Sequence, residues 1–475
     1  MLWFDPGCPL FDGGAITPMQ NCMNRIILSV CLSTICAISC LARQQTGSLL
    51  WSYEAPGTVT SCPAIAPDGT IYLGTSAGLC AITNTGSNKW IFAAGGSVKG
   101  SPAISSDGTA YFDGGSEGGL YAVSLDGNEK WSRPLSMNGS SPLVGPSNTV
   151  CAVGYGYLYS IRSDGSTNWF SLVGDSGLST PVMANDGSIY VAGLERSRLY
   201  GFFGDGNVKW IIENLPSVAG DTIAIGRDGT LYLAWRKLYA FSANGTEIWE
   251  NDTNSFAGGA SPAVGTDGTI YVASNGDESL YAISPAGQKR WNVGYGTVGP
   301  PSFGYATTTP AIDASGLVYY AASNSIFAIN SNGDIQWIFS SKYALLSPPP
   351  PPIPTAISPA IGAEGTIYAA FGSTLYAIQG SGNPMATSPW PMCRQNLRHT
   401  GKVEKPSLAP PKKRPDANFD IQLAGEIGQA YSVQSTSNFL NWDFLTNFVA
   451  TTLSRTVSDL SATNASARFY RATTP

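Results

Sequence analysis

Eight tryptophans, Trp51, Trp90, Trp131, Trp169, Trp210, Trp249, Trp291 and Trp337, recur at intervals of 39, 41, 38, 41, 39, 42 and 46 residues. A period of that size marks a repeat architecture and constrains this chain more than any other feature. Between successive tryptophans the order is constant: a variable loop, a Ser-Pro-Ala-Ile-like strand, an Asp-Gly turn, a Thr-Ile-Tyr-Val-like strand, a short loop, a Leu-Tyr-Ala-Ile strand and a Gly turn into the Trp strand. Four antiparallel strands per unit make one blade of a β-propeller.

The turns explain why the strands reverse where they do. A tight hairpin needs positive φ, which Gly supplies at no steric cost and Asn or Asp supplies less readily. The first hairpin of the repeat carries Asp68-Gly69, Asp107-Gly108, Asp186-Gly187, Asp228-Gly229 and Asp267-Gly268, with Ser315-Gly316 and Glu364-Gly365 as variants and Ser147-Asn148 as the weakest copy. The next Gly turn uses Gly86, Gly127, Gly165, Gly206, Gly245, Gly287 and Gly333, and Trp follows four residues later each time. A fixed interval implies a fixed seat for the indole against the neighbouring blade, where each ring can bury on the order of 150 to 250 Å². All eight tryptophans are therefore read as structural.

The two ends of the array are complementary fragments. Gly47 to Trp51 repeats the Gly-to-Trp interval with no inner strands before it, whereas Ser358 to Ile378 supplies three inner strands with no matching Trp strand. Leu49 to Tyr53 is thus expected as the outer strand of the last blade, which removes the open edge of a linear array. The expected fold class is all-β: an eight-bladed β-propeller of four-stranded blades, closed by its N-terminal strand, plus a small C-terminal β-domain.

Composition agrees. Charged residues make up only 12% of the 475, while Gly (54), Tyr (22) and Trp (12) are abundant, the balance of turn-rich antiparallel sheet. A net charge of −6 with one histidine gives no electrostatic footprint for nucleic acid. Basic residues gather at Lys402 to Arg414 but alternate with prolines there, and 402–415 reads as a linker.

Asn24-Arg25 precedes the apolar run Ile26 to Leu41, which fits the h-region of a signal peptide and is short for a spanning helix. Residues 1–42 are accordingly read as a leader, with translation starting at Met19 or Met23 and cleavage leaving Arg43 first. Lipidation at Cys40 is the alternative, since Ala37-Ile38-Ser39-Cys40 loosely matches a lipobox without its usual Leu. The expected product is exported (periplasmic, outer-membrane associated or extracellular) and monomeric, with no transmembrane helix in the mature chain. Five of nine cysteines lie in the leader. Cys62, Cys80, Cys151 and Cys393 remain, which is no disulfide framework. The first three stand where sister repeats carry Ser, Tyr or another strand residue, so buried reduced thiols are expected.

At Ala282-Ile-Ser-Pro-Ala-Gly287-Gln-Lys-Arg-Trp291, and across Trp51 to Trp337, the repeat resembles the PQQ-like (pyrroloquinoline quinone enzyme) repeat. It departs from the fuller pattern by one residue between Ala and Gly and usually lacks the Asp after Ala. That superfamily contains quinoprotein dehydrogenases and also cofactor-free propellers, among them a lipoprotein of the outer-membrane β-barrel assembly machinery. The resemblance implies, for a dehydrogenase, a vicinal disulfide, a calcium ion held by carboxylate and Asn, and an Asp base. No Cys-Cys pair occurs here and none of those residues is assignable by position, so no cofactor and no metal is expected. Asn275, Asp277 and Glu278 offer oxygen ligands but lack an EF-like pattern.

In a four-stranded antiparallel blade, the first and third turns share one face, and the second loop shares the other with the blade-to-blade loop. The first face is uniform here and the second is not, which is where binding is usually grafted. The candidates on it are Glu195, Arg196, Arg198, Arg236, Lys237, Asp277, Glu278, Tyr295, Phe303, Tyr305, Lys342 and Tyr343. Pro348 to Pro352 with Pro354 stiffens the last long loop as polyproline II. His399, the sole histidine, lies in Pro389 to Gly401, a segment expected to pack on the ring. Residues 43–401 form the propeller and 416–475 the C-terminal module. With Ser435-Thr436, Leu440-Asn441-Trp442 and an Arg468-Phe-Tyr-Arg471 end, that module resembles compact modules on exported bacterial proteins.

The reading that follows is an exported, non-enzymatic propeller that binds a protein or cell-envelope component through its variable-loop face. The alternative is a quinone-dependent oxidoreductase or a sugar-binding protein using the central channel. Inward residues such as Ser101, Ser261 and Ser358 are small and neutral and offer that channel little acid-base chemistry.

Overall fold

The computed structural model describes residues 45–115, 119–175, 177–193, 195–215, 223–234, 237–251, 261–274, 277–294, 308–322, 324–342 and 356–386, and shorter stretches between 388 and 473. Among them there is no α-helix, and the fold is an all-β propeller of four-stranded antiparallel sheets. Eight such sheets carry the repeat. The first is Ala64–Ile65, Ile71–Thr75, Gly78–Ile82 and Asn88–Phe92, in that order from the inside outward. Its second and third strands are buried at every position, whereas the fourth alternates between exposed and half-buried residues. Strands covered on both faces read as unbroken apolar runs, and an outer strand with one wet face alternates.

The last sheet is assembled from both ends of the repeat region. Leu49–Glu54 pairs antiparallel with Thr374–Ile378, with Trp51 opposite Ala377 and Tyr53 opposite Leu375. Ile65 and Ile71 of the first sheet share one apolar cluster with Ile361, Ile367 and Leu375 of the last and Ala311 and Tyr319 of the seventh. First and last copies of the repeat thus bury each other.

Every outer strand carries a one-residue bulge beside its tryptophan. In the first sheet Ala81 faces Trp90 but Ile82 faces Asn88, and the same shift recurs in the other seven. A bulge sharpens strand twist and turns the indole toward the following sheet. There it meets the turn glycine: Trp51 meets Gly86, Trp90 Gly127, Trp131 Gly165, Trp169 Gly206, Trp210 Gly245, Trp249 Gly287, Trp291 Gly333, and Trp337 meets Gly47. The series returns to its start. These glycines sit at φ +80 to +91, and a Cβ on any of them would stand 2.5–3.1 Å from a ring carbon of its indole. Only Gly satisfies both the backbone angle and the close approach.

The indole N–H is satisfied across the same junction. Nε1 of Trp51, Trp90, Trp131, Trp210, Trp249 and Trp291 donates to the backbone carbonyls of Asn84, Leu125, Ser163, Ala243, Pro285 and Ser331, at 2.8–3.1 Å. On its other side the ring packs on a tyrosine of its own sheet, as in Trp90 on Tyr72 (5.7 Å between centroids) and Trp210 on Tyr190 (5.6 Å). In the third sheet Cys151 takes the tyrosine position beside Trp169.

The Asp-Gly turns are fastened by their own side chains. Asp68 accepts from the Thr70 N–H (2.9 Å) and hydroxyl (2.8 Å), and Lys89, one residue before Trp90, reaches the same carboxylate at 3.3 Å. Asp107 with Lys130, Asp186 with Lys209 and Asp267 with Arg290 repeat the arrangement. Partial burial opposes the charge on Asp107, but hydrogen bonds from Ser105 and Thr109 and the nearby Lys130 prevail and hold its carboxyl down to about 2. The copy without glycine turns by placing both Ser147 (φ 54) and Asn148 (φ 57) in the left-handed region. Asn148 then accepts a hydrogen bond from the Ser106 hydroxyl, from the turn of the preceding sheet, at 2.8 Å.

Cys80 and Cys151 are buried, as their strand positions imply, while Cys62 is half-buried. Beyond the repeats, Phe419–Ala424 pairs with Ser454–Asp459, and Ala430–Thr436 pairs with both Asp443–Val449 and Phe469–Thr473. Within 402–415, Ser407–Leu408 and Lys412–Lys413 pair with Phe419–Ala424. Proline lacks the N–H a ladder needs but is tolerated at short edge strands, so a Pro-rich stretch still contributes two-residue pairings.

Candidate functional site

Antiparallel pairing brings the chain to the same end of each sheet twice, once between its second and third strands and once on leaving its outer strand. The loops so gathered are unequal, from the two residues Ser76–Ala77 in the first sheet to the stretch 341–359 between the seventh and last. Of the charged candidates, Glu195 and Arg196 form the second loop of the fourth sheet and are exposed. Asp175, from the loop entering that sheet and 1% exposed, accepts from both their backbone N–H groups at 3.1 Å. Asp113 does the same work in the second sheet, accepting from Gly115 (3.0 Å) and Gly139 (2.9 Å). Burial raises the Asp113 carboxyl above the usual carboxylate value despite those bonds. Each carboxylate ties an inter-sheet loop to the loop beside it.

Three described cations on this face are paired. Arg198 lies 2.7 Å from Glu213, Lys237 lies 2.8 Å from Glu250, and Lys342 contacts Glu54 at the end of the closing strand. Exposed pairs of this kind contribute about 0–1 kcal/mol each, so they orient side chains more than they stabilise the ring. Asp277 accepts from the Tyr281 hydroxyl, and Glu278 is exposed at φ 51. Arg236, Tyr295, Phe303, Tyr305 and Tyr343, with Asn275 and the Pro348 to Pro354 run, lie outside the described residues.

Sequence reading missed an aromatic patch on the third sheet. Tyr155, in its second loop, is 64% exposed, and Phe170 and Leu172 of its outer strand are 62% and 65% exposed. Tyr157, Tyr159 and Phe170 stand 5.9–6.1 Å from one another between ring centroids. The only signal was comparative: sister sheets hold Ile91, Ser132 or Glu250 where this one holds Phe170.

The axis side is a belt of small hydroxyls. Ser101 accepts from the Cys62 N–H (3.1 Å), Ser141 from Ser101 (2.8 Å), Thr180 from Ser141 (3.0 Å) and Ser358 from Thr309 (2.9 Å). Ser101 and Ser358, read from sequence as bland channel residues, therefore join adjacent sheets. Among the described residues no group of three or more His, Cys, Asp or Glu side chains is placed to hold a metal ion. His399 is fully buried. No described helix is long and apolar enough to cross a membrane.

A family model described as outer membrane protein assembly factor BamB matches residues 38–212 and 235–397, well over half of the chain. The chain belongs to the BamB family. Among solved structures, BamB from Moraxella catarrhalis is 15% identical, with a TM-score of 0.56, covering 70% of this chain and 99% of its own. The computationally designed Ika8 protein aligns at 12% identity and a TM-score of 0.53, covering 70% and 99%. Virginiamycin B lyase from Staphylococcus aureus aligns at 15% identity and a TM-score of 0.44, covering 58% and 94%. No curated protein matches the sequence. At such identities the likeness to BamB and Ika8 concerns the fold alone.

Proposed function

We propose that this member of the BamB family is an exported, eight-bladed, non-enzymatic propeller that presents its variable-loop face to a protein of the outer-membrane assembly machinery. Residues 1–42 are its leader, 43–401 the ring, and 416–475 a separate C-terminal module. One observation carries the reading: uniform, self-fastened turns occupy one face, while the other gathers unequal loops held in shape by buried carboxylates, Asp113 and Asp175. Two buried acids that brace these loops give the scaffold the means to present a surface, and the exposed aromatic patch of the third sheet, beginning in one of those loops, is the residue type that anchors protein interfaces.

Two variants test this. Tyr155→Ser/Phe170→Ser/Leu172→Ser removes the described patch, and Tyr295→Ser/Phe303→Ser/Tyr305→Ser/Tyr343→Ser removes the aromatic loop residues. With the tagged protein expressed in its own host, copurification of outer-membrane assembly components should fall at least tenfold for one variant while melting stays within about 2 °C of the parent. Undiminished copurification by both would overturn the assignment of this face.

A further inference from the structure

The segment that follows the last repeat strand runs back along the ring. Ala314 N–H donates to Pro384 O (2.8 Å), Ala386 N–H to Ile312 O (2.7 Å) and Ile312 N–H to Pro391 O (2.9 Å), so Pro384, Ala386 and Pro391 lie against the start of the seventh sheet. Met392 then enters the core shared by the first and last sheets. Cys393, 7% exposed, brings its Sγ to 2.8 Å from Sγ of Cys62.

Cys62 occupies an unusual position. It precedes Pro63 at the start of the first sheet, where sister repeats hold Ser101, Ser141, Thr180, Ser261, Thr309 and Ser358. Four of those hydroxyls accept a backbone N–H from the preceding sheet. A thiol is a weak acceptor, so cysteine is the poorer residue for the belt. Its Sγ meets a second cysteine, 331 residues away in sequence.

We propose that Cys62 and Cys393 are a disulfide site, which clasps the end of the repeat region to its first sheet. A covalent S–S bond of about 2.05 Å needs the sulfurs to close by only a fraction of an ångström. The oxidant is a disulfide-bearing one, such as oxidised glutathione or a protein disulfide. One cysteine thiolate attacks it and expels a thiolate, and the other cysteine attacks the mixed disulfide and expels the second. Two electrons and two protons pass to the oxidant, which leaves as two thiols. Cys80 and Cys151 do not compete, because burial pushes the Cys80 thiol up and that of Cys151 to about 12, and the thiolate is the reactive form. The site rests on the export reading only for where the oxidant is met.

The test is made on purified protein and is independent of localisation. Native full-length chain is incubated with oxidised glutathione, denatured, alkylated, digested without reductant and mapped by mass spectrometry. A linked peptide pair joining Cys62 to Cys393 is expected, with Cys80 and Cys151 alkylated. Reduction should lower the melting temperature by about 3–6 °C, as expected for a cross-link spanning a long loop in a ring of this size. Cys62→Ser, which restores the sister-repeat residue, should melt at the reduced value with or without reductant. Alkylation of both Cys62 and Cys393 after oxidation would overturn the site, and the peptide map decides alone if the variant does not fold.

Discussion

Removal of residues 47–53 is expected to lower the melting temperature by about 10 °C, because it takes away the outer strand of one sheet and two junctions of the ring at once. Trp51 no longer fills the seat at Gly86, and Trp337 loses Gly47 as its cover. A buried Trp replaced by Ala costs about 3–5 kcal/mol, and here the strand hydrogen bonds to Thr374–Ile378 go as well. For a ring of this length each kcal/mol corresponds to roughly 1–2 °C. The bared edge of Thr374–Ile378 is also a template for intermolecular pairing, so size-exclusion chromatography should show oligomers. A peptide of residues 46–54 added in trans should restore part of the lost melting temperature. An unchanged melting curve would show that this strand does not close the ring.

The second large effect concerns the glycine seats, and two glycines with nearly the same backbone angle isolate it. Gly206 (φ +89) faces Trp169, and a Cβ there would stand 2.5 Å from the indole; Gly187 (φ +86) has nothing within 4 Å. Gly187→Ala therefore bears only the left-handed backbone cost, about 1–2 kcal/mol. Gly206→Ala bears that cost and must also displace the ring, for a total of about 2–5 kcal/mol, since overpacking a filled site adds roughly 1–3 kcal/mol. Denaturant unfolding measures both. In Trp169→Ala/Gly206→Ala the two losses should be strongly non-additive, because the single clash is removed once. Equal losses for Gly187→Ala and Gly206→Ala would mean that the indole does not need the glycine.

The scaffold was legible because its determinants are local and periodic. An interval of four from Gly to Trp, a first turn that is Asp-Gly in five copies, and Pro after Ser, Thr or Cys before seven of the eight short strands are visible within ten residues and repeat around the chain. The candidate site was much less legible. Asp113, at the end of a strand, and Asp175, in a loop, work through contacts to loops of no fixed period, so nothing in the neighbouring residues marks them out. The aromatic patch at Tyr155, Phe170 and Leu172 consists of departures from the repeat, which a search for the repeat passes over. The juxtaposition of Cys62 and Cys393 needs the ring to be closed before it exists. The turn at Ser147 and Asn148, the weakest copy by composition, forms with both residues at positive φ.

A crystal structure of the full chain viewed along the ring axis tests the central claim most directly. Eight four-stranded sheets are expected around that axis, with Trp51 paired opposite Ala377 and each indole covered by the turn glycine of the following sheet. Another number of sheets, or Leu49–Glu54 paired anywhere but beside Thr374–Ile378, would contradict it.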